Sequence, residues 1–355
     1  MQKTLKYFLA ANSCEGFVNH FADCYNPKDG WKAYIIKGGP GTGKSSFMKK
    51  IANTADNKNE PYVLCPCSSD PHSLDAVILP KRKTVIMDGT APHTIDPRYP
   101  AVCEEILNFG QFWDAEKIGD REKIIEITDR NKALHQTAQK YLMAAGQIIL
   151  DTYKTALACT KKVETKSFAA RLCKKYIPQK SGAPYEWQAF LGGTTPEGII
   201  TYPETILNSC HNLVIISDKY RACSNIIINE VRNHCLINGY EIITLKNPLL
   251  PTLITDHIII PKLSLAFVTE DNTCTFATDK RRIHARRFTS NKLLHYSASR
   301  LKLNRKVSNS LLIAAVDTLK QAKSAHDQLE KYYINAMRFE TLNSFAENFF
   351  KKLFT

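Results

Sequence analysis

The chain lacks any run of about 18 uncharged apolar residues, the length a membrane-spanning helix needs. Its nearest approach, residues 249–268, is broken by Asp256, His257 and Lys262. The basic N-terminal segment has an apolar core too short for a secretory signal. No framework spacing orders the 11 cysteines, an odd number that fits free thiols in a reducing compartment. Cys65 and Cys67 are the only close pair, and the neighbouring sequence supplies no metal partners at a familiar spacing. Acidic residues are the scarcer charge, since 34 Asp and Glu against 48 Lys and Arg leave a net charge of +14. The expectation is a cytoplasmic protein with no membrane partner and a bias toward phosphate-rich ligands.

Glycine and proline are missing from residues 300–355, and between 120 and 177 Gly146 alone interrupts. A single straight helix over the 56 residues of the later stretch would be about 80 Å long. Each stretch is therefore expected to fold as a helical hairpin or bundle, packed on a sheet or on the other half of the chain. In the later one, Leu311, Leu312, Ala315, Val316 and Leu319 mark the packing face.

What is present repeats. FLAANSCEGFVN at 8–19 resembles FLGGTTPEGIIT at 190–201, LDAVILP at 74–80 resembles TDHIIIP at 255–261, and FAARLCKKY at 168–176 echoes FAENFFKKL at 345–353. Three blocks in one order, 182, 181 and 177 residues apart, indicate two copies of one unit, 1–180 and 181–355. Each copy places strands at 32–37 or 212–217, 61–65 or 240–245, and 83–88 or 263–269. Strands alternating with helical segments predict an α/β fold, with parallel sheets built through right-handed crossovers. In fold class the chain reads as two tandem α/β units with parallel sheets, each followed by a long helical hairpin or bundle.

In copy one the strand AYIIK runs into GGPGTGKS and then into an amphipathic helix. The pattern G-x-x-x-x-G-K-[ST] falls on Gly38, Gly43, Lys44 and Ser45. Gly38, Gly39, Gly41 and Gly43, with Pro40 and Thr42 between them, let successive backbone N–H groups turn toward phosphate oxygens. The helix start adds its dipole, Lys44 can reach the β- and γ-phosphates, and the Ser45 hydroxyl, followed by Ser46, can hold Mg²⁺. Thr84-Val85-Ile86-Met87-Asp88 supplies the second magnesium anchor at Asp88. Asp70 and Asp75 are candidates for activating water, and His93 and Asp96 for sensing the γ-phosphate; all four also sit in turn-forming sequence. Copy two carries SDKYRACSN at 217–225 where the loop should be, with Thr269 near the Asp88 position. It is expected not to hydrolyse nucleotide.

KGGPGTGKSS at 37–46, CSSDPHSLD at 67–75, VILP at 77–80 and DGTAPHTIDPRYP at 88–100 resemble a bacterial family of tandem P-loop ATPases. The resemblance covers copy one well, through EEILNFGQFWD at 104–114, and copy two in outline through GGTTPEGII at 192–200. It implies ATP binding at 38–45 with Asp88 on magnesium, and groups Ser68, Ser69, Asp70, Asp75, His93 and Asp96. Family members often carry histidine before Cys-Ser-Ser-Asp, where this chain has Cys65-Pro66, and often keep the second P-loop, which this chain has lost.

The leading expectation is an ATPase with Mg²⁺ and ATP as cofactors, in which the second half serves as a built-in pseudo-partner. Arg281, Arg282, Arg286 and Arg287 are available to reach the γ-phosphate. Alternatives are a nucleic-acid-dependent ATPase using the basic segment 280–306, a small-molecule kinase, and a non-catalytic nucleotide-dependent switch. ATP is favoured over GTP because the guanine-reading Asn-Lys-x-Asp pattern is absent: Asn131-Lys132-Ala133-Leu134 lacks the aspartate.

Overall fold

The structure is a computed structural model describing residues 4–91 and 93–355. The first copy forms β1 (Leu5–Lys6), a hairpin of β2 (Ala10–Ser13) and β3 (Gly16–Asn19), β4 (Lys32–Lys37), α1 (Lys44–Asn57), β5 (Val63–Pro66), β6 (Leu74–Leu79), β7 (Thr84–Asp88) and β8 (Glu104–Asn108). Two helices follow, α2 (Arg121–Ala158) and α3 (Lys162–Tyr176). The second copy begins with β9 (Tyr185–Ala189), a hairpin of β10 (Gly192–Thr195) and β11 (Gly198–Thr201), and α4 (Pro203–Ser209). It continues through β12 (Asn212–Ser217), α5 (Ala222–Ile237), β13 (Glu241–Lys246), β14 (Thr255–Ile260), β15 (Leu265–Glu270) and β16 (Arg282–His284). It closes with α6 (Asn291–Tyr296), α7 (Ala298–Ile334) and α8 (Phe339–Phe354).

The sheet orders are β1-β5-β6-β7-β4-β8 and, read from its other edge, β9-β13-β14-β15-β12-β16. Strand for strand these are the same sheet, so the duplication seen in sequence is a duplication of topology. Both sheets are mixed rather than parallel. β6 runs antiparallel to β5 and β7, as β14 does to β13 and β15, while the remaining pairings are parallel. The connections explain the correction. Seven residues join β5 to β6 and four join β6 to β7, well short of the dozen or so that a parallel crossover needs.

Alternate residues along the strands serve different cores. Ala33 and Ile35 of β4, with Val85 and Met87 of β7, join Ile215, Ala266 and Val268 of the second sheet in one shared core. Tyr34, Ile36 and Ile86 face outward onto α1, and Val214, Ile216 and Phe267 onto α5. The copies meet at equivalent residues: Phe8 donates to the Phe190 carbonyl at 2.9 Å and Phe190 donates back at 2.8 Å. Such reciprocal pairing is what a local two-fold relation requires.

The helices cross between copies. α3 packs on α5 in the outer core of the second sheet, with Phe168 5.0 Å from Phe288. α8 packs on the first sheet, with Phe349 4.8 Å from Tyr34 and 5.4 Å from Phe47. α2 and α7 run antiparallel, Arg130 reaching Gln328 near one end and Arg300 reaching Asp151 near the other. The helical hairpin is thus formed between the copies. Gly146 of α2 lies where Cys14 crosses, and an added Cβ would stand 2.2 Å from Cys14 Cβ. Among the described residues no helix is long and apolar enough to cross a membrane, and all 11 cysteines are free thiols.

Candidate functional site

The loop 38–43 leaves β4, which lies between β7 and the edge strand β8, and enters α1 at Lys44. Gly41 and Gly43 take left-handed φ values of 68° and 81°, which side-chain-bearing residues rarely adopt. The loop is held from three sides. Thr42 Oγ1 donates to the Gly39 carbonyl at 2.9 Å, and Thr90 Oγ1 donates to the Gly38 carbonyl at 2.8 Å. Lys44 Nζ folds back onto the carbonyls of Gly38 and Gly39, at 2.7 and 2.8 Å.

Ile36 of β4 pairs in register with Asp88 of β7, so the Asp88 carboxylate comes up beside the loop. It stands 3.6 Å from Lys44 Nζ and accepts from the Thr90 N–H at 2.8 Å. Burial raises the Asp88 pKa, and Lys44 and Thr90 offset part of that rise. Ser45 Oγ accepts from the Leu74 N–H at 3.0 Å, which fixes the hydroxyl next to the start of β6. Ser46 is exposed, whereas Thr42 is buried. An ammonium, an ionisable carboxylate, a hydroxyl and a run of backbone N–H groups therefore share one end of the sheet.

Of the remaining sequence-named residues, Asp70 closes its own turn, accepting from Ser73 Oγ at 2.9 Å and from the His72 N–H at 3.3 Å. Asp96 is exposed and paired with Lys37 at 3.0 Å. Asp75 and His93 come together, His93 Nε2 lying 3.3 Å from Asp75 Oδ1. Burial pulls the His93 pKa down, but Asp75 and Asp88 outweigh it and leave the ring above its ordinary value.

Repeat-two residues that sequence reasoning missed reach this site through the exchanged helices. Lys323 of α7 stands 3.5 Å from Asp70 Oδ2, and Glu330 Oε1 accepts a long 3.4 Å hydrogen bond from the Gly41 N–H. From the first copy itself, Trp113 lies against Gly39, where an added Cβ would meet its ring at 3.0 Å. Nothing local in the sequence marks Lys323 and Glu330, because only the exchange brings α7 to the first copy.

The arginine segment 281–287, available in sequence to reach the γ-phosphate, does not lie at the glycine-rich loop. Arg282 is fixed by Glu270 and by the carbonyls of Phe276, Thr278 and Lys280. Arg287 stacks over Phe168 and Phe288. Residues 281–287 precede α7 and adjoin its N-terminal end, whereas the loop meets its C-terminal end at Glu330 and Ile334. The 37 residues of α7 span about 55 Å. The basic segment is also divided: Arg300 pairs with Asp151, while Lys302 and Arg305 line a cavity.

That cavity, about 750 Å³, is lined mainly by the second copy, with Ile149 and Thr152 of α2 at its wall. The loop beneath it, 218–221, is two residues shorter than its counterpart. Arg221 holds the left-handed conformation of Gly43, at φ 59°. The Asp218 carboxylate accepts from the N–H groups of Tyr220, Cys223 and Ser224, at 3.1, 2.8 and 2.9 Å. It occupies the helix N-terminus as a built-in anion. Arg221 is in turn neutralised by Asp256 at 2.9 Å and Asp271 at 2.7 Å. Thr269 pairs with Ile216 where Asp88 pairs with Ile36.

Comparison with known protein families, curated proteins and solved structures finds no match to this chain. The site's chemistry therefore rests on its own residues.

Proposed function

We propose that the chain is a P-loop ATPase that binds ATP with magnesium at 38–45, and that its second half is a non-hydrolysing partner. The observation that carries this reading is the Lys44–Asp88 pair, 3.6 Å apart, with Lys44 opening α1 after the glycine-rich loop and Asp88 ending the adjacent strand β7. A cation able to bind phosphate beside a carboxylate able to hold magnesium is what phosphoryl transfer requires. Ser45 Oγ and the Asp88 carboxylate form an oxygen donor set suited to a hard cation such as Mg²⁺. When bound, the ion neutralises phosphate charge.

The chain's own residues do the rest. Lys44 leaves the Gly38 and Gly39 carbonyls to bind the phosphate tail. The loop N–H groups and the α1 dipole then hold the phosphate oxygens in a fixed frame. Water attacks the terminal phosphorus, and ADP leaves with phosphate. Catalysis of such a step is mostly positioning and charge, so it does not depend on a strong base. In the second copy Asp218 repels the anion that Gly38–Gly43 would attract.

Nucleotide binding and turnover by wild type and Lys44→Ala, for ATP and GTP, with and without nucleic acid, test the reading. Lys44→Ala should weaken ATP binding by about 1.5–3 kcal/mol, on the order of 10–100-fold in Kd. Equally tight binding by the variant overturns the site. Stimulation by DNA or RNA at low salt would favour the nucleic-acid-dependent form of the enzyme.

A further inference from the structure

Cys67 follows β5, Asp75 lies in β6, and His93 follows β7, so three consecutive strands deliver them to one point. Their thiol, carboxylate and imidazole ligand atoms all lie within 4.8 Å of one another. Asp75 and His93 are 2% and 5% exposed. The contact between His93 Nε2 and Asp75 Oδ1 satisfies one atom of each. Among the described residues, Asp75 Oδ2 and His93 Nδ1 are left buried without a hydrogen-bond partner, as is the neighbouring Ser68 Oγ. Each such orphan costs about 1–3 kcal/mol, and more for a charged group. Phe17 and Phe21 pack on the imidazole, with ring centroids at 4.9 and 5.3 Å. The Ser69 N–H points to Cys67 Sγ at 3.4 Å, while burial and the Asp75 carboxylate push the thiol well above its ordinary pKa, so it is protonated without a metal.

From this cluster we infer that Cys67, Asp75 and His93 form a three-ligand site for a divalent transition metal of the zinc class, with one coordination position open. A sulfur, a nitrogen and a carboxylate oxygen suit Zn²⁺ and its first-row neighbours and disfavour Mg²⁺ and Ca²⁺, which take all-oxygen sets. Tetrahedral bonds of about 2.0–2.3 Å place ligand atoms roughly 3.3–3.8 Å apart. The present spread closes by about 1 Å of side-chain movement on that geometry. Metal binding recruits the unsatisfied carboxylate and ring and replaces the thiol proton. Its ligands differ from those of the proposed magnesium position at Ser45 and Asp88, which it adjoins through Leu74, the neighbour of Asp75 that donates to Ser45 Oγ, and it does not rest on the nucleotide reading.

The test is anaerobic titration of the metal-stripped full chain with Co²⁺, followed by its optical spectrum. One equivalent should bind and give thiolate-to-cobalt charge transfer together with the intense visible bands of a tetrahedral ion. Cys67→Ser should lose the charge-transfer band. His93→Gln should weaken binding by more than the roughly 10–100-fold that loss of an outer-shell partner costs. Lys44→Ala should keep the cobalt spectrum while binding ATP more weakly, which separates this site's failure from that of the nucleotide site. Absence of stoichiometric tetrahedral Co²⁺ in wild type, or a charge-transfer band that survives Cys67→Ser, overturns the inference. Should Cys67→Ser fail to fold, X-ray absorption on wild-type cobalt protein decides: one sulfur among nitrogen and oxygen neighbours supports the site, and a sulfur-free shell overturns it.

Discussion

Glu330 is the residue that most directly opposes an anion at the glycine-rich loop. Its carboxylate comes from α7, takes the Gly41 N–H, and is supported from the next turn by His326 at 3.5 Å. The hydrogen bond from His326, against a contribution from burial, holds Glu330 below the usual carboxylate range, so it is charged at neutral pH. A phosphate oxygen seeking that N–H must displace it and then bear its repulsion. The side chain is 38% exposed, so solvent screens the effect to about 1 kcal/mol or less. Glu330→Gln should therefore tighten ATP binding roughly two- to fivefold, measured by calorimetry. Weaker binding would mean that Glu330 serves the nucleotide, for instance as a further magnesium ligand, and unchanged binding that it does not oppose the anion. The contrast with Asp218 is one of permanence: three short backbone hydrogen bonds hold that carboxylate in the second copy, and one long one holds Glu330 in the first.

At the scale of elements, α8 is tied to the first sheet by one arginine. Arg82 makes a bidentate contact with Glu60 at 2.6 and 2.8 Å, and donates to the carbonyls of Leu353 and Phe354 at 2.7 and 3.3 Å. Hydrogen bonding from Arg82, against burial, keeps the Glu60 pKa below its ordinary value. A carboxylate depressed in the folded state contributes stability above its unfolded pKa of about 4.3, and loses it as pH falls through the folded value. Arg82→Ala should cost about 1.5–3 kcal/mol at neutral pH. In urea titrations the gap to wild type should narrow below about pH 4; a gap that is constant with pH would show that Glu60 takes no part. Elements of this kind differ in how far sequence reveals them. The strands at 32–37 and 212–217 stand where their apolar runs place them, and the loop after 37 was legible from its glycine spacing between strand and helix. The direction of β6 was not legible, since an apolar run ending in proline reads alike in either sense. Cys67 looked partnerless for a related reason: Asp75 and His93 are 8 and 26 residues away in sequence and meet it only through strand order.

For the molecule as a whole, the sequence repeats and the spatial units do not coincide. Copy one supplies the first sheet but covers the second with α3; copy two supplies the second sheet but covers the first with α8. Residues 1–180 alone would leave Phe47, Phe109 and Phe112 without Phe345 and Phe349 over them. Residues 181–355 alone would leave Ile227, Ile228 and Val231 of α5 without Ala169 and Leu172. Each fragment would also expose its half of the shared core and an unpartnered long helix of 38 or 37 residues. An exposed patch of that size promotes association or aggregation. Produced separately, the fragments should aggregate or melt without cooperativity. Produced together, they should assemble one to one, because each fragment carries the helix and the core face that cover the other. Light scattering on the co-expressed pair gives the stoichiometry, and calorimetry gives the cooperativity of each sample. A monomeric 1–180 fragment melting as sharply as the full chain would refute the exchange of helices. It would also remove α7 from the glycine-rich loop, and with it the physical route by which the second half can act on the first.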